Sequence, residues 1–305
     1  MALNVVVDCD PGHDDAIALM VAHRFANVVG ISTVCGNAPL ADTSRNALAL
    51  AELAGWDTPV HSGAAGPLAG EPVHAPHVHG ETGLGGAGLP APKTELASTD
   101  AVGFLLDASK RIGDLWVVAV GPLTNVALAI EKDAAFAERV AGISIMGGSA
   151  TAGNVTRTAE FNVYADPEAA AVVFGSGARL KMCGLNLTTQ IQSEDGLIPR
   201  LAGQGPVPDL VARLFAFIHD RMQELVGERR AALHDPCAVL ALTHPHLIRM
   251  EPRAVDVELA GHWTRGMTVV DQRTLRRQDP PNAEVAYGID VGAALEVVLD
   301  GVLGC

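Results

Sequence analysis

Residues 3–25 read LNVVVDCDPGHDDAIALMVAHRF. Residues 3–9 are dominated by β-branched valines, as in a buried strand, whereas the stretch from Asp14 onward is rich in Ala and Leu with helical period. Pro11 and Gly12 force a turn between the two. The alternation continues along the chain: residues 28–34, 115–120 and 142–147 read as further strands, and residues 43–55 and 122–132 as helices. Strands alternating with helices predict an α/β fold with a mostly parallel central sheet. In such sheets ligands bind beyond the carboxyl ends of the strands, which directs attention to residues 8–15, 35–37, 120–125 and 147–149.

The turn carries Asp8, Asp10, Asp14 and Asp15 within eight positions. Like charges this close repel unless a cation, a shared proton or open water lies among them. Asp14 and Asp15 fall in the first turn of the helix, where one carboxylate serves as a cap, but capping does not need four. An oxygen-rich cluster suits a hard cation such as calcium or magnesium. The EF-hand arrangement is excluded, since its ligand periodicity and closing Glu are absent.

The chain has 305 residues, 49% of them hydrophobic and 18% charged, which predicts one compact domain spanning 1–305 with a large core. Aromatics make up 4%, so that core must be built from Ala, Val, Leu and Ile. A formal charge of −14 argues against nucleic acid as a partner. The five cysteines are scattered without CxxC spacing, which fits reduced thiols in a cytoplasm. The start, MALNVVVDCD, lacks a basic segment and a cleavage site, and no apolar stretch is long enough to span a bilayer, so a soluble protein without membrane partners is expected.

Residues 63–94 form a Gly/Pro-rich insertion too long for an ordinary connection, hence a candidate active-site loop. Within it GLGGAG (83–88) formally matches a dinucleotide fingerprint, but no strand precedes it and LPAP follows, so it reads as a flexible loop. His74, His77 and His79 lack a Cys or carboxylate at zinc-ligand spacing; they fit a solvated loop, or one histidine reaching a substrate. His244 and His246 read as surface residues. Residues 153–170, GNVTRTAEFNVYADPEAA, gather Asn154, Glu160 and Asn162 ahead of a helix capped by Asp166; such groups suit hydroxyl-rich ligands. In LHDPCAVLAL (233–242), His234 and Asp235 precede Pro236 at the start of an apolar helix, a position that suits either a cap or a functional pair. Residues 206–226 are helical in period, and the C-terminal region reads as a hairpin followed by a helix near 290–300.

Taken in order, DCDPGHDDAIAL, TVCGN, VHGETGLGG, VGPLTNVALAI, IMGG, GNVTRTAEFNVYADPEAA, LHDPCAV and RGMTVVD resemble the nucleoside hydrolases of the inosine-uridine-preferring type, over nearly the whole chain. The resemblance implies a Rossmann-like α/β domain, its sheet flanked by helices, that hydrolyses the N-glycosidic bond of ribonucleosides with a calcium ion at the base of its pocket. It would place Asp10, Asp15, Asp235 and the Val120 carbonyl around that Ca2+ ion. Asp10 would be the general base, His234 the leaving-group acid, and Asn37 would lie beside the nucleophile and ribose. Asp14 and Asn162 would bond the 2′- and 3′-hydroxyls, with Asn154 and Glu160 near the 5′-hydroxyl. Met146 would lie beneath the sugar, Phe161 would be a further substrate contact, and His79 would sit in the loop closing over the base.

These residue types suit the reaction, because positive charge grows on the ribose as the base departs and nearby carboxylates stabilise it. The resemblance also favours a homodimer or homotetramer. One departure concerns the base: family members of this type often carry tyrosines before the His-Asp-Pro motif, whereas here Phe215, Phe217, His219, Met222 and Gln223 are the available substitutes. Base preference therefore stays open. A calcium-dependent nucleoside binder without catalysis and an aspartyl-phosphate phosphatase are the alternatives; Gly12, where the phosphatase motif has Thr or Val, speaks against the latter.

Overall fold

A computed structural model describes residues 3–275 and 279–305. Among the described residues seven strands of the central sheet run parallel, the first six being β1 (Asn4–Cys9), β2 (Asn27–Thr33), β3 (Val60–Ser62), β4 (Leu115–Ala119), β5 (Gly142–Met146) and β6 (Leu180–Cys183). Next come β7 (Gln192–Glu194) and β8 (Arg230–Ala232), which pair antiparallel as a separate ribbon. β9 (Ile248–Arg253) is followed by a hairpin of β10 (Val255–Val257) and β11 (Thr268–Val270), and then by β12 (Ala283–Ile289). The central sheet has the order β3-β2-β1-β4-β5-β6-β12-β9, with only β9 antiparallel to its neighbour. The expected mostly parallel sheet flanked by helices is what the chain forms.

β1 explains why both faces must be covered. Val5, Val7 and Cys9 belong to a core on one face, with the His13–Phe25 and Val291–Leu303 helices, whereas Val6 joins the opposite core, with the Ala101–Arg111 and Thr124–Lys132 helices. Side chains alternate across a strand, so a strand buried on both faces reads as an unbroken apolar run. The His13–Phe25 helix is itself buried along most of its length, from Ala16 through Ala22. Its many alanines permit close packing, and Gly301 sits where a Cβ would lie 2.9 Å from Val21 Cγ2. Full burial of one side chain such as Leu19 stabilises the fold by roughly 1.5–3 kcal/mol. Among the described residues, no helix is long and apolar enough to cross a membrane.

Chain order reverses direction between β1 and β4, since β2 and β3 lie on one side and β4 to β6 on the other. That reversal opens a crevice at the carboxyl ends of these two strands. Asp10 follows β1 there and Val120 follows β4, tied together where the Val120 amide donates to the Asp8 carbonyl at 2.8 Å.

Candidate active site

The sharp turn after β1 is held by its own carboxylate. Asp15 accepts hydrogen bonds from the amides of Gly12 (2.9 Å) and Asp10 (3.1 Å), thereby capping the His13–Phe25 helix. Gly12 leaves room for two functional side chains: a Cβ there would lie 2.7 Å from His79 Nδ1 and 2.8 Å from Asn37 Nδ2. Asn37 in turn donates from Nδ2 to the Asp10 carbonyl and to Asp15 Oδ2, both at 3.2 Å. Its backbone amide donates to Asp10 Oδ2 at 2.6 Å.

Asp235 arrives from the distant His-Asp-Pro segment. It precedes the Pro236–Thr243 helix but its side chain caps nothing. Instead Asp14, Asp15 and Asp235 each offer an oxygen within 4.8 Å of the others. Asp10 and Asp235 each contact Asp15, and the neighbouring charges acting on them are carboxylates. Burial, reinforced by these charges, pushes Asp10, Asp15 and Asp235 well above the ordinary carboxylate range. Asp10 Oδ1 is buried with no hydrogen-bond partner. It faces Gly121, where a Cβ would come within 2.6 Å of it, and a Cβ at Gly36 would collide with the same carboxylate. A buried, unpartnered carboxylate oxygen among further carboxylates is the donor set of a hard cation. These residues fit a metal ion.

Asp8, the first carboxylate of the turn, faces elsewhere. It accepts from Ser32 Oγ (2.5 Å) and Asn125 Nδ2 (2.8 Å), and burial raises it to about 6. Beside the cluster, Asn162 Nδ2 donates to the carbonyls of Val120 (2.8 Å) and Met146 (3.1 Å). The Asn162 oxygen is thereby left to accept from a ligand, and a second lone pair stays on the Val120 carbonyl. Glu160 caps the Phe161–Ala165 helix through the amides of Asn162 (2.9 Å) and Val163 (3.2 Å), and also accepts from Gly148 N at 2.8 Å. Burial raises its carboxyl to about 7. Asn154 is exposed on the rim, where its Oδ1 accepts from the half-buried Phe161 amide at 3.0 Å.

Two histidines stand on the other side. His234 lies with Nδ1 2.7 Å from Thr188 Oγ1 and is held below its ordinary value by burial. His79 ends the Pro76–His79 helix, with Nδ1 3.1 Å from His13 Nδ1, and burial together with the His234 charge lowers it to about 4. His13 Nε2 lies 3.0 Å from the Gly85 carbonyl, so that nitrogen carries the proton. The His13 ring stacks on Phe217, 5.2 Å between centroids. GLGGAG is thus a docking pad: its small residues admit the Phe217 ring against Gly85 and Gly86.

The histidine trio does not converge on one point, because His74 Nδ1 meets the Gly36 carbonyl at 2.8 Å and His77 is exposed. Among the five substitutes for the tyrosines, Phe215 and His219 face inward. His219 is fully buried between Ser193 Oγ and Asp195 Oδ1, each 2.9 Å away, so it is not a base contact. Gln223 is exposed, while Phe217 reaches the loop. His244 is half-buried against Phe25, not free on the surface. Sequence reasoning missed His13, though it adjoins Asp14, and Thr188, for which the sequence carries no signal.

The model of the inosine-uridine preferring nucleoside hydrolase family matches residues 5–296. The chain belongs to this family. It is therefore a ribonucleoside hydrolase, and the phosphatase alternative falls. Its relatives include the pyrimidine-specific ribonucleoside hydrolase RihA of Shewanella sp. (strain MR-7), 40% identical over 98% of this chain and 96% of that one. RihA of Citrobacter koseri is 42% identical over 95% of both. Among solved structures, a purine-preferring ribonucleoside hydrolase from Gardnerella vaginalis superposes with TM-score 0.93 at 28% identity, covering 99% of this chain and 98% of that one. The plant nucleoside hydrolase PpNRh1 matches equally well, with TM-score 0.93 at 30% identity over the full length of both. The hydrolase thus has sequence relatives named for pyrimidines and a structural neighbour named for purines.

Proposed function

We propose that this hydrolase cleaves pyrimidine ribonucleosides to ribose and free base, with calcium held by Asp10, Asp15, Asp235 and the Val120 carbonyl. The observation that carries the metal assignment is the buried Asp10 Oδ1 with no partner, on a carboxylate that contacts Asp15, which itself gathers with Asp14 and Asp235 at the crevice between β1 and β4. The pyrimidine preference is supported by relatives of that name at 40% identity across nearly the whole chain. Calcium, when bound, supplies a fixed positive charge that offsets the carboxylates and favours oxygen ligands.

The chain's own residues divide the reaction between them. The C1′–N bond breaks and a C1′–O bond forms to a water oxygen. Asp10 accepts one proton of that water, and Asn37, bonded to both Asp10 and Asp15, keeps the base oriented. His234 delivers a proton to the departing nucleobase nitrogen, balancing the electron pair that leaves with it. Asp14 and Glu160 surround the ribose with negative character as it becomes oxocarbenium-like, Asp14 and the Asn162 oxygen bond its 2′- and 3′-hydroxyls, and Met146 lies beneath the sugar. Asn154 and Phe161 border the 5′ end, and His79 covers the base. We propose that residues 1–305 act as a single catalytic domain in the cytoplasm, the latter supported by five cysteines without a disulfide. Assembly into a homodimer or homotetramer is a further proposal, read out by light scattering.

Release of reducing sugar from uridine, cytidine, inosine, adenosine and 2′-deoxyuridine, with and without a calcium chelator, tests the reading. Turnover of uridine and cytidine that chelation abolishes is expected. Undiminished turnover in chelator overturns the metal assignment, and faster inosine hydrolysis overturns the base preference.

A further inference from the structure

Thr188 ends the short Leu185–Thr188 helix after β6, and it is completely buried. Its hydroxyl lies 2.7 Å from His234 Nδ1, and among the described residues it has no other hydrogen-bond partner. A buried hydroxyl that only accepted would leave its own proton unsatisfied, at a cost of about 1–3 kcal/mol. In the neutral ring, therefore, Thr188 donates to Nδ1, and the ring proton sits on Nε2. Nδ1 is thereby occupied by Thr188, and Nε2 is the ring nitrogen left for a further partner.

We propose that Thr188 is a positioning residue for the glycosidic cleavage: it ties down His234 Nδ1 so that Nε2 is the ring nitrogen turned toward the departing base. The inference rests on reading His234 as the leaving-group acid. It adds that the acid works at full efficiency only while a hydroxyl at position 188 holds it. The two residues lie 46 positions apart, joined because the Leu185–Thr188 helix and the segment after β8 meet at the same crevice.

Two substitutions separate the hydroxyl from the packing it accompanies. Thr188→Val keeps the branched shape and removes the hydroxyl; Thr188→Ser keeps the hydroxyl and removes the methyl. Complete loss of a general acid costs roughly 10²–10⁴-fold, so a misaligned one in Thr188→Val should lose about 10–100-fold in kcat on uridine. KM for uridine should stay near the parent value. On an activated aryl riboside such as 4-nitrophenyl riboside, whose leaving group needs no proton, kcat should be almost unchanged. Thr188→Ser should restore near-parental kcat on uridine, and Thr188→Val added to His234→Ala should cost nothing further. If the fold rejects valine, Thr188→Ala against Thr188→Ser makes the same comparison.

The control separates the two claims. Equal losses by His234→Ala on both substrates would remove the acid assignment, and the positioning role with it. If His234→Ala spares the aryl riboside but Thr188→Val slows both substrates equally, or neither, the acid assignment stands and Thr188 is not its positioning residue. Failure of serine to rescue would likewise overturn the role of Thr188.

Discussion

Gly85→Ala tests how the loop is held over the site. The Gly85 carbonyl lies 3.0 Å from His13 Nε2, and a Cβ added there would approach Phe217 Cε1 and Cε2 at 2.8 and 2.9 Å and Cζ more closely still. Gly85 is not among the glycines with positive φ, so the penalty is collision and not backbone strain. Phe217 cannot simply yield, because its ring is stacked almost parallel to His13, with 10° between planes. Overpacking of this kind costs about 1–3 kcal/mol. The cheapest relief is for the loop to lift, which breaks the His13 bond and withdraws His79. Substrate must then close the loop again at the same cost, so KM for uridine should rise roughly 5–150-fold, at tenfold per 1.4 kcal/mol, with kcat at saturation little affected. Initial rates of ribose release across a range of uridine concentrations measure both constants. Phe217→Ala removes the obstacle, so Gly85→Ala in that background should leave KM where Phe217→Ala alone puts it. An unchanged KM in Gly85→Ala, or a double variant as impaired as the sum of its parts, would refute the clamp.

Three further outcomes follow from the same geometry. Asp235→Asn removes one of the mutually repelling buried carboxylates, so in chelator its unfolding temperature should equal or exceed that of the parent, while ribose release falls by at least about 10³-fold; a variant less stable in chelator would show that Asp235 is structural. Acid stability should bear the mark of His23, which stacks on Trp56 at 3.6 Å and is lowered by burial to about 4. The unfolded histidine titrates near 6.5, so its contribution is complete above that pH and is lost as pH falls toward 4, up to roughly 3 kcal/mol, and His23→Gln should flatten this limb in denaturant titrations. Finally, 2′-deoxyuridine should be hydrolysed roughly 10⁴-fold less efficiently than uridine, because a site that bonds the 2′-hydroxyl leaves buried groups unpaired without it; comparable kcat/KM for the two would contradict the roles given to Asp14 and Asn162.

The first strand, turn and helix were legible because everything that determines them is local: β-branched residues, then Pro-Gly, then an alanine-rich period. Runs at 115–120 and 142–147 matched β4 and β5 within a residue for the same reason. β3 has only three residues, β6 carries Lys181, and β9 alternates with charged residues at the sheet edge, so none presents the apolar run of a doubly covered strand. The Ala101–Arg111 helix holds Gly103 in its first turn, which weakens the pattern. Within the site, the Asp10 turn stood out through charge density. Asp235 read equally well as a cap, and only the sheet's topology turns its carboxylate to the cluster. His219 misled because helical spacing alone does not say which face is inward. It shares the inner face with Phe215, four residues earlier, whereas Phe217 points to the loop. The Thr188–His234 contact joins segments with no pattern in common and was invisible.

The proposed chemistry stands or falls on whether Asp10, Asp15 and Asp235 fold around one divalent ion that turnover requires. Calcium titrated into chelator-treated protein, with unfolding temperature and ribose release followed on the same samples, addresses it directly. One ion per chain is expected, with stabilisation of about 2.7 kcal/mol at a hundredfold excess over Kd and turnover that rises along the binding curve. Full turnover in chelator, or calcium stabilisation that survives simultaneous replacement of the three aspartates by asparagine, would contradict it.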